Sequence, residues 1–187
     1  LGFSIGNLVS KSLIKKRPQT KMRILGVYIE IFNYFWETFK PNFMYSIILQ
    51  AHHWIAFIAL ALLAYATING AIGSNTEKVF DDSHRKINLF ALISTHIMLL
   101  LGIVLLIISP IAQNAFADMG AAMKDGAIRK AVVEHPTMNI IAAVLVTIGN
   151  AKSKKAIGNG RKFKVSMIFF GLALVLILSR LPFERLF

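Results

Sequence analysis

The stretch from Tyr45 to Ile72, YSIILQAHHWIAFIALALLAYATINGAI, contains no Asp, Glu, Lys or Arg. A helix needs about 20 mainly apolar residues to cross about 30 Å of hydrocarbon, and this run exceeds that length. Three further runs follow, Ile87 to Ser109, Ala131 to Asn150 and Val165 to Pro182, with Glu134 and Arg180 as their only charged residues. Hydrophobic residues make up 56% of the 187-residue chain, and its mean hydropathy is +0.61, too apolar for an ordinary soluble domain. The expectation is an all-α integral membrane four-helix bundle, with helices over about 45–72, 87–109, 131–150 and 165–182. A membrane barrel would show short segments of strict alternation, whereas these runs are continuously apolar.

Cysteine is absent, which excludes disulfides, thiolate metal sites, covalent heme attachment and cysteine nucleophiles. Any bound metal must be held by histidine, methionine or carboxylate. Serine or metal-dependent protease chemistry has no motif here: His-Glu-x-x-His is missing, and Ser94, Ser109, Ser166 and Ser179 have no partner at a defined spacing.

The net charge of +12 would suit a nucleic-acid binder, but its placement points to topology. Residues 151–164 hold Lys152, Lys154, Lys155, Arg161, Lys162 and Lys164 with no acid among them, the pattern of a short cytoplasmic loop. That orientation puts 74–86 on the same side, and sends 110–130 and both ends of the four-helix domain outward. A multi-pass membrane protein with the loop 151–164 in the cytoplasm is therefore expected. Its partners are the lipid bilayer, with subunits of a respiratory complex and further copies of the chain as candidates, and nucleic acid is not expected.

Residues 1–43 are the odd segment. They carry seven basic residues (Lys11, Lys15, Lys16, Arg17, Lys21, Arg23 and Lys40) against Glu30 and Glu37. This positive charge falls on the side assigned to the exterior. The segment is treated as a basic and aromatic extension ahead of a four-helix domain at 44–187, with Met44 as the expected native start. The stretch 27–39 is aromatic and partly amphipathic, suited to the membrane surface, and it lacks the small-residue cleavage site of a signal peptide.

A histidine kept in hydrocarbon is costly, so each is a functional candidate. His52, His96 and His135 fall in or at the edge of successive runs. Two imidazoles that share one macrocycle-bound iron must lie at similar depth. At about 1.5 Å per residue, His52 and His135 both sit roughly 10 Å toward the outer face, whereas His96 lies some 13 Å away in depth, just past the midplane. The faces beyond the matched pair carry Ala56 and Ala59 on one helix and Asn139 and Ala142 on the other. Small residues admit a flat guest, and they equally admit close helix packing. His53 points about 100° away from His52, toward headgroups or another helix, and His84 lies in a polar loop.

From Met44 onward the chain resembles the short bacterial four-helix membrane proteins commonly labelled cytochrome B. The resemblance is carried by Met44-Tyr45, Leu49-Gln50-Ala51-His52-His53-Trp54, Thr95-His96-Ile97, Gly102, Ser109-Pro110, Met123-Lys124, Val133-Glu134-His135, Met138, Gly149 and Lys154-Lys155. It implies that His52, His96 and His135 are the family histidines, that the cofactor is heme b and that the membrane is a bacterial inner (cytoplasmic) one. The chain departs from the pattern at Gln50, where another histidine is frequent, and at Ala56, where an arginine is usual.

If heme is bound, axial ligation by His52 and His135 is expected, with Glu134 and Thr137 as outer partners and Thr95 orienting His96. His96 itself could hold a heme edge, hydrogen-bond a quinone, relay a proton or simply pack. Three functions follow. The leading one is a membrane b-type cytochrome that passes single electrons between the quinone pool and a redox partner. The second is a heme-dependent membrane oxidoreductase, which the scarcity of interior cations disfavours, Arg180 lying at the far end of the fourth run. The third is a cofactor-free small subunit stabilising a larger complex through packing residues such as Gly102, Gly149 and Gly171.

Overall fold

The computed structural model describes residues 23, 26–32 and 41–181. The chain divides into two compact units, Leu1–Phe43 and Met44–Phe187. In the first, residues 26–32 are helical. The remainder of the amphipathic stretch, 33–39, and the basic residues Lys11, Lys15, Lys16, Arg17, Lys21 and Lys40 lie outside the described residues.

The second unit is all-α, with no strand among its described residues. The long helices are α1 (Pro41–Ser74, in the second unit from Met44 on), α2 (Asp82–Ile108), α6 (His135–Lys155) and α7 (Asn159–Ser179). Between α2 and α6 come the short α3 (Pro110–Ala117), α4 (Met119–Lys124) and α5 (Gly126–Arg129), then a π-helical turn at Lys130–Glu134. Four helical stretches are long and apolar enough to cross a membrane: Phe43–Ser74, Asp82–Ile108, Gly126–Lys155 and Asn159–Ser179. Large apolar side chains such as Trp54, Leu100, Ile107, Val144 and Val175 are more than half exposed along these helices, as lipid-facing residues are. This is a multi-pass four-helix membrane protein.

A side-chain cap carries α2 past its apolar run. Asp81 accepts the backbone N–H of His84 at 3.1 Å and starts α2 five residues ahead of the apolar run. The basic segment 151–164 is mostly helix. Lys152, Lys154 and Lys155 close α6, where cations complement the helix dipole, and Arg161, Lys162 and Lys164 open α7. Only Ala156–Gly158 connect the two, and Gly158 takes a φ of +87°, which an L side chain rarely adopts. The expected end of the fourth helix also shifts: α7 stops at Ser179, and Pro182 lies outside the described residues.

The segment 110–130, expected as a loop, is instead a chain of short helices, each begun by its own polar cap. Ser109 ends α2 by donating its backbone N–H to Leu105 O, and its Oγ accepts Ala112 N–H as α3 begins with Pro110. Asp118 caps Ala121 N–H at 3.0 Å, and Asp125 caps Ala127 and Ile128 at 2.9 and 3.0 Å.

One apolar core joins the four long helices: Ala59 and Leu63 of α1, Ala91 and Met98 of α2, Ala142 and Val146 of α6, and Phe170 and Ala173 of α7. Small residues let backbones approach. A β-carbon at Gly70 would come within 2.7 Å of Met167 N, and one at Gly149 within 2.5 Å of Phe169 Cβ. Asn88 donates to Ser166 Oγ at 2.8 Å, a buried bond between α2 and α7.

Candidate cofactor site

His52 and His135 come from the early part of α1 and the first position of α6, at the same end of the antiparallel bundle. Their ring centroids are 6.3 Å apart and the planes are inclined by 76°. Each ring has one nitrogen committed to a backbone carbonyl. His52 Nδ1 donates to Met98 O at 3.1 Å, and His135 Nδ1 donates to Arg180 O at 3.1 Å. Such bonds assign the Nδ1-protonated tautomer; they leave the Nε2 lone pair of His52 for another partner, while that of His135 faces the Asn139 amide at 3.0 Å. Two imidazoles facing one another across a metal, each nitrogen about 2 Å from it and about 1 Å from its own ring centre, have centroids about 6 Å apart.

The pair stands in the wall of a cavity of about 830 Å³. Cofactor and small-molecule pockets run from about 300 to 1,000 Å³. Its lining is largely apolar and comes from α1 (Leu49, Ala56, Leu60), α2 (Met98, Gly102, Leu106), the cap helix α3 (Ile111, Phe116), the π turn (Val132) and α7 (Ile177). His53 also lines this cavity, with its ring centroid 6.2 Å from that of His52.

Asn139 sits one turn beyond His135. Its Nδ2 lies 2.8 Å from His135 O and 3.0 Å from His135 Nε2, while its buried Oδ1 has no partner. Of the four small or short residues expected to face a guest, Ala56 and Asn139 line the cavity, whereas Ala59 and Ala142 are fully buried in the helix-packing core.

The π turn accounts for how His135 is presented. Pro136 has no N–H to give to the carbonyl four residues back, and His135 N–H reaches Lys130 O, five back. Pro136 therefore interrupts the α-helical hydrogen bonding without breaking the helical run.

Glu134 is an outer partner of the site, though by a route the sequence did not suggest. Its carboxylate binds Arg129 Nε at 2.8 Å and Arg180 Nε at 3.2 Å. Arg180, remote in sequence, thus lies beside His135. Thr137 is not a partner of the histidines: its hydroxyl donates to Val133 O at 2.7 Å. Thr95 does not orient His96 either, since its hydroxyl donates to Ala91 O. His96 is held by Leu92 O at 2.8 Å, with Nε2 3.3 Å from Thr147 Oγ1 of α6, and it is absent from the cavity lining.

Sequence reasoning missed three contributors: the Met98 and Arg180 carbonyls and the contact of Gly102 with His52. Backbone acceptors carry no residue signature, and Gly102 stood out for packing and for the family resemblance, not as a neighbour of His52. Among the described residues no group of three or more His, Cys, Asp or Glu is arranged to hold a bare metal ion. The site has two imidazole donors and an apolar chamber, a donor set suited to a metal that arrives with its own equatorial ligands.

No family model, no curated protein and no solved structure matches this chain. The class of protein therefore rests on the fold and the site: a multi-pass all-α membrane protein with a histidine-walled apolar cavity at one end of its bundle.

Proposed function

We propose that this chain is a membrane b-type cytochrome, passing single electrons between the quinone pool and a redox partner, with heme b held between His52 and His135. The observation that carries the reading is the pairing itself: two imidazoles from different helices, 6.3 Å apart, each with Nδ1 on a carbonyl, at the wall of a cavity of about 830 Å³. The resemblance to proteins labelled cytochrome B points the same way. Heme bound there supplies a one-electron couple.

The protein's own groups do the rest. The Met98 and Arg180 carbonyls accept the Nδ1–H bonds, fixing each ring's tautomer and raising the basicity of Nε2. The apolar walls exclude water and lower the local dielectric, which tunes the potential of whatever couple they enclose. The cavity's lining residues come from the end of the bundle opposite the basic residues 152–164. With that basic end in the cytoplasm of a bacterium, the histidine pair falls beneath the outer surface of the inner membrane.

The test is a visible spectrum and a pyridine haemochrome assay on detergent-purified protein. Low-spin heme bands are expected in the wild type and in His96→Ala, and are lost in His52→Ala and His135→Ala. A colourless, fully folded wild-type protein that takes up no added hemin would sink the reading.

A further inference from the structure

We propose that Glu134 is a positioning residue for His135, acting through Arg180. This deepens the reading of His135 as a cofactor ligand and rests on it for its functional meaning.

The contacts form a continuous chain. Arg129 donates through Nη1 to Met123 O of α4 at 2.8 Å and through Nε to Glu134 Oε1 at 2.8 Å. Glu134 Oε2 receives Arg180 Nε at 3.2 Å, and the carbonyl of that same Arg180 receives His135 Nδ1–H at 3.1 Å. Arg180 is the C-cap of α7, so its carbonyl lies where helical hydrogen bonding has stopped and is free to serve a side chain. Apart from Glu134, its guanidinium reaches only the neighbouring Ser179 O at 3.4 Å among the described residues. Glu134 adds a second tie from this helix end to the start of α6, beside the His135–Arg180 bond itself.

All three side chains are partly exposed, so the ion pairs contribute little as stabilisers. What they supply is placement. They hold the end of α7 so that one carbonyl meets one ring nitrogen, and that bond, with the Asn139 amide facing Nε2 from the other side, selects the tautomer whose Nε2 is unprotonated. Ligand-orienting partners of this kind typically change metal affinity by about 10–100-fold when removed.

The test uses the full chain in detergent micelles with 15N-labelled histidine, the His135 signals being assigned by their loss in His135→Asn. Wild type and Glu134→Asp, which keeps the charge, are expected to show one Nδ1-protonated tautomer. Glu134→Gln and, from the other side of the same pair, Arg180→Gln are expected to show a tautomer mixture, while Thr137→Val matches wild type. Hemin titration of the same samples should weaken by about 10–100-fold in the two Gln variants. An unchanged His135 tautomer in whichever Gln variant folds overturns the proposal, whatever the hemin result. A shifted tautomer in a protein that takes up no hemin leaves the positioning role standing and removes the cytochrome reading instead.

Discussion

Gly102 lies against the edge of His52: a β-carbon there would stand 3.3 Å from the imidazole Cε1 and 3.7 Å from Nδ1. The same ring is held by Met98 O, one turn earlier on α2. Its position is therefore set from two sides by one helix, by a hydrogen bond and by the absence of a side chain.

That contact makes Gly102 a test of the cavity that leaves both histidines in the sequence. Gly102→Ala forces the ring to move by a few tenths of an ångström and is expected to weaken hemin retention. Gly102→Leu projects a branched side chain beside the ring and is expected to abolish it. Helical content by circular dichroism should stay at the wild-type level in both. Full hemin occupancy in the Leu variant would show that the guest, if any, sits elsewhere.

Helix packing responds to different glycines. At Gly149 a β-carbon meets Phe169 Cβ at 2.5 Å, and at Gly70 it meets the backbone of Met167 and Phe163 at 2.7 and 2.8 Å, so no side-chain rotation relieves the clash. Gly149→Ala and Gly70→Ala should each cost about 1–3 kcal/mol, the usual range for overpacking. Gly126→Ala, with nothing within 4 Å, should be neutral or slightly stabilising. Denaturant unfolding in mixed micelles ranks the three.

The buried bond from Asn88 to Ser166 gives a non-additive expectation. Ser166→Ala strands an amide donor on a residue only 4% exposed, at a cost of about 1–3 kcal/mol. Asn88→Leu leaves Ser166 with its own bond to Lys162 O at 3.1 Å, so the serine is not orphaned. Adding Asn88→Leu to Ser166→Ala should therefore recover part of the loss. A double variant as unstable as the sum of the two singles would mean that the amide finds another partner.

The four spans were legible because hydrocarbon imposes one rule, a long uncharged run, and Tyr45 to Ile72 satisfies it without interpretation. The juxtaposition of His52 with His135 also follows from simple counting, since antiparallel helices of similar length put residues equally far from their middles at the same level. What counting could not reach was anything set by caps or carbonyls. Ser109, Asp118 and Asp125 divide 110–130 into helices through single hydrogen bonds, which hydropathy does not register. Arg180 was judged remote because its side chain ends a helix, yet its carbonyl is what His135 meets. His96 was legible only as an intramembrane histidine; its partners, a carbonyl one turn back and Thr147 of α6, were not.

At the other end of the bundle, the start of α2 carries its own acid dependence. Asp81 accepts the backbone N–H of His84 and bonds the His84 ring at 2.6 Å; these contacts, the backbone one foremost, hold its carboxyl below the ordinary value of 3.8. A group whose folded value lies below its unfolded value stabilises the fold above the unfolded value, and that stability is lost as the pH falls through the folded one. The cap's contribution should therefore be complete at neutral pH and decline only on the acid side of 3.8. Asp81→Asn keeps a capping oxygen without a titrating proton, so the two proteins should differ in thermal midpoint at neutral pH and converge on acidification. Other carboxylates titrate in both, and the difference between the curves is the readout. Parallel curves through that window would mean that the charge on Asp81 contributes nothing to the start of α2.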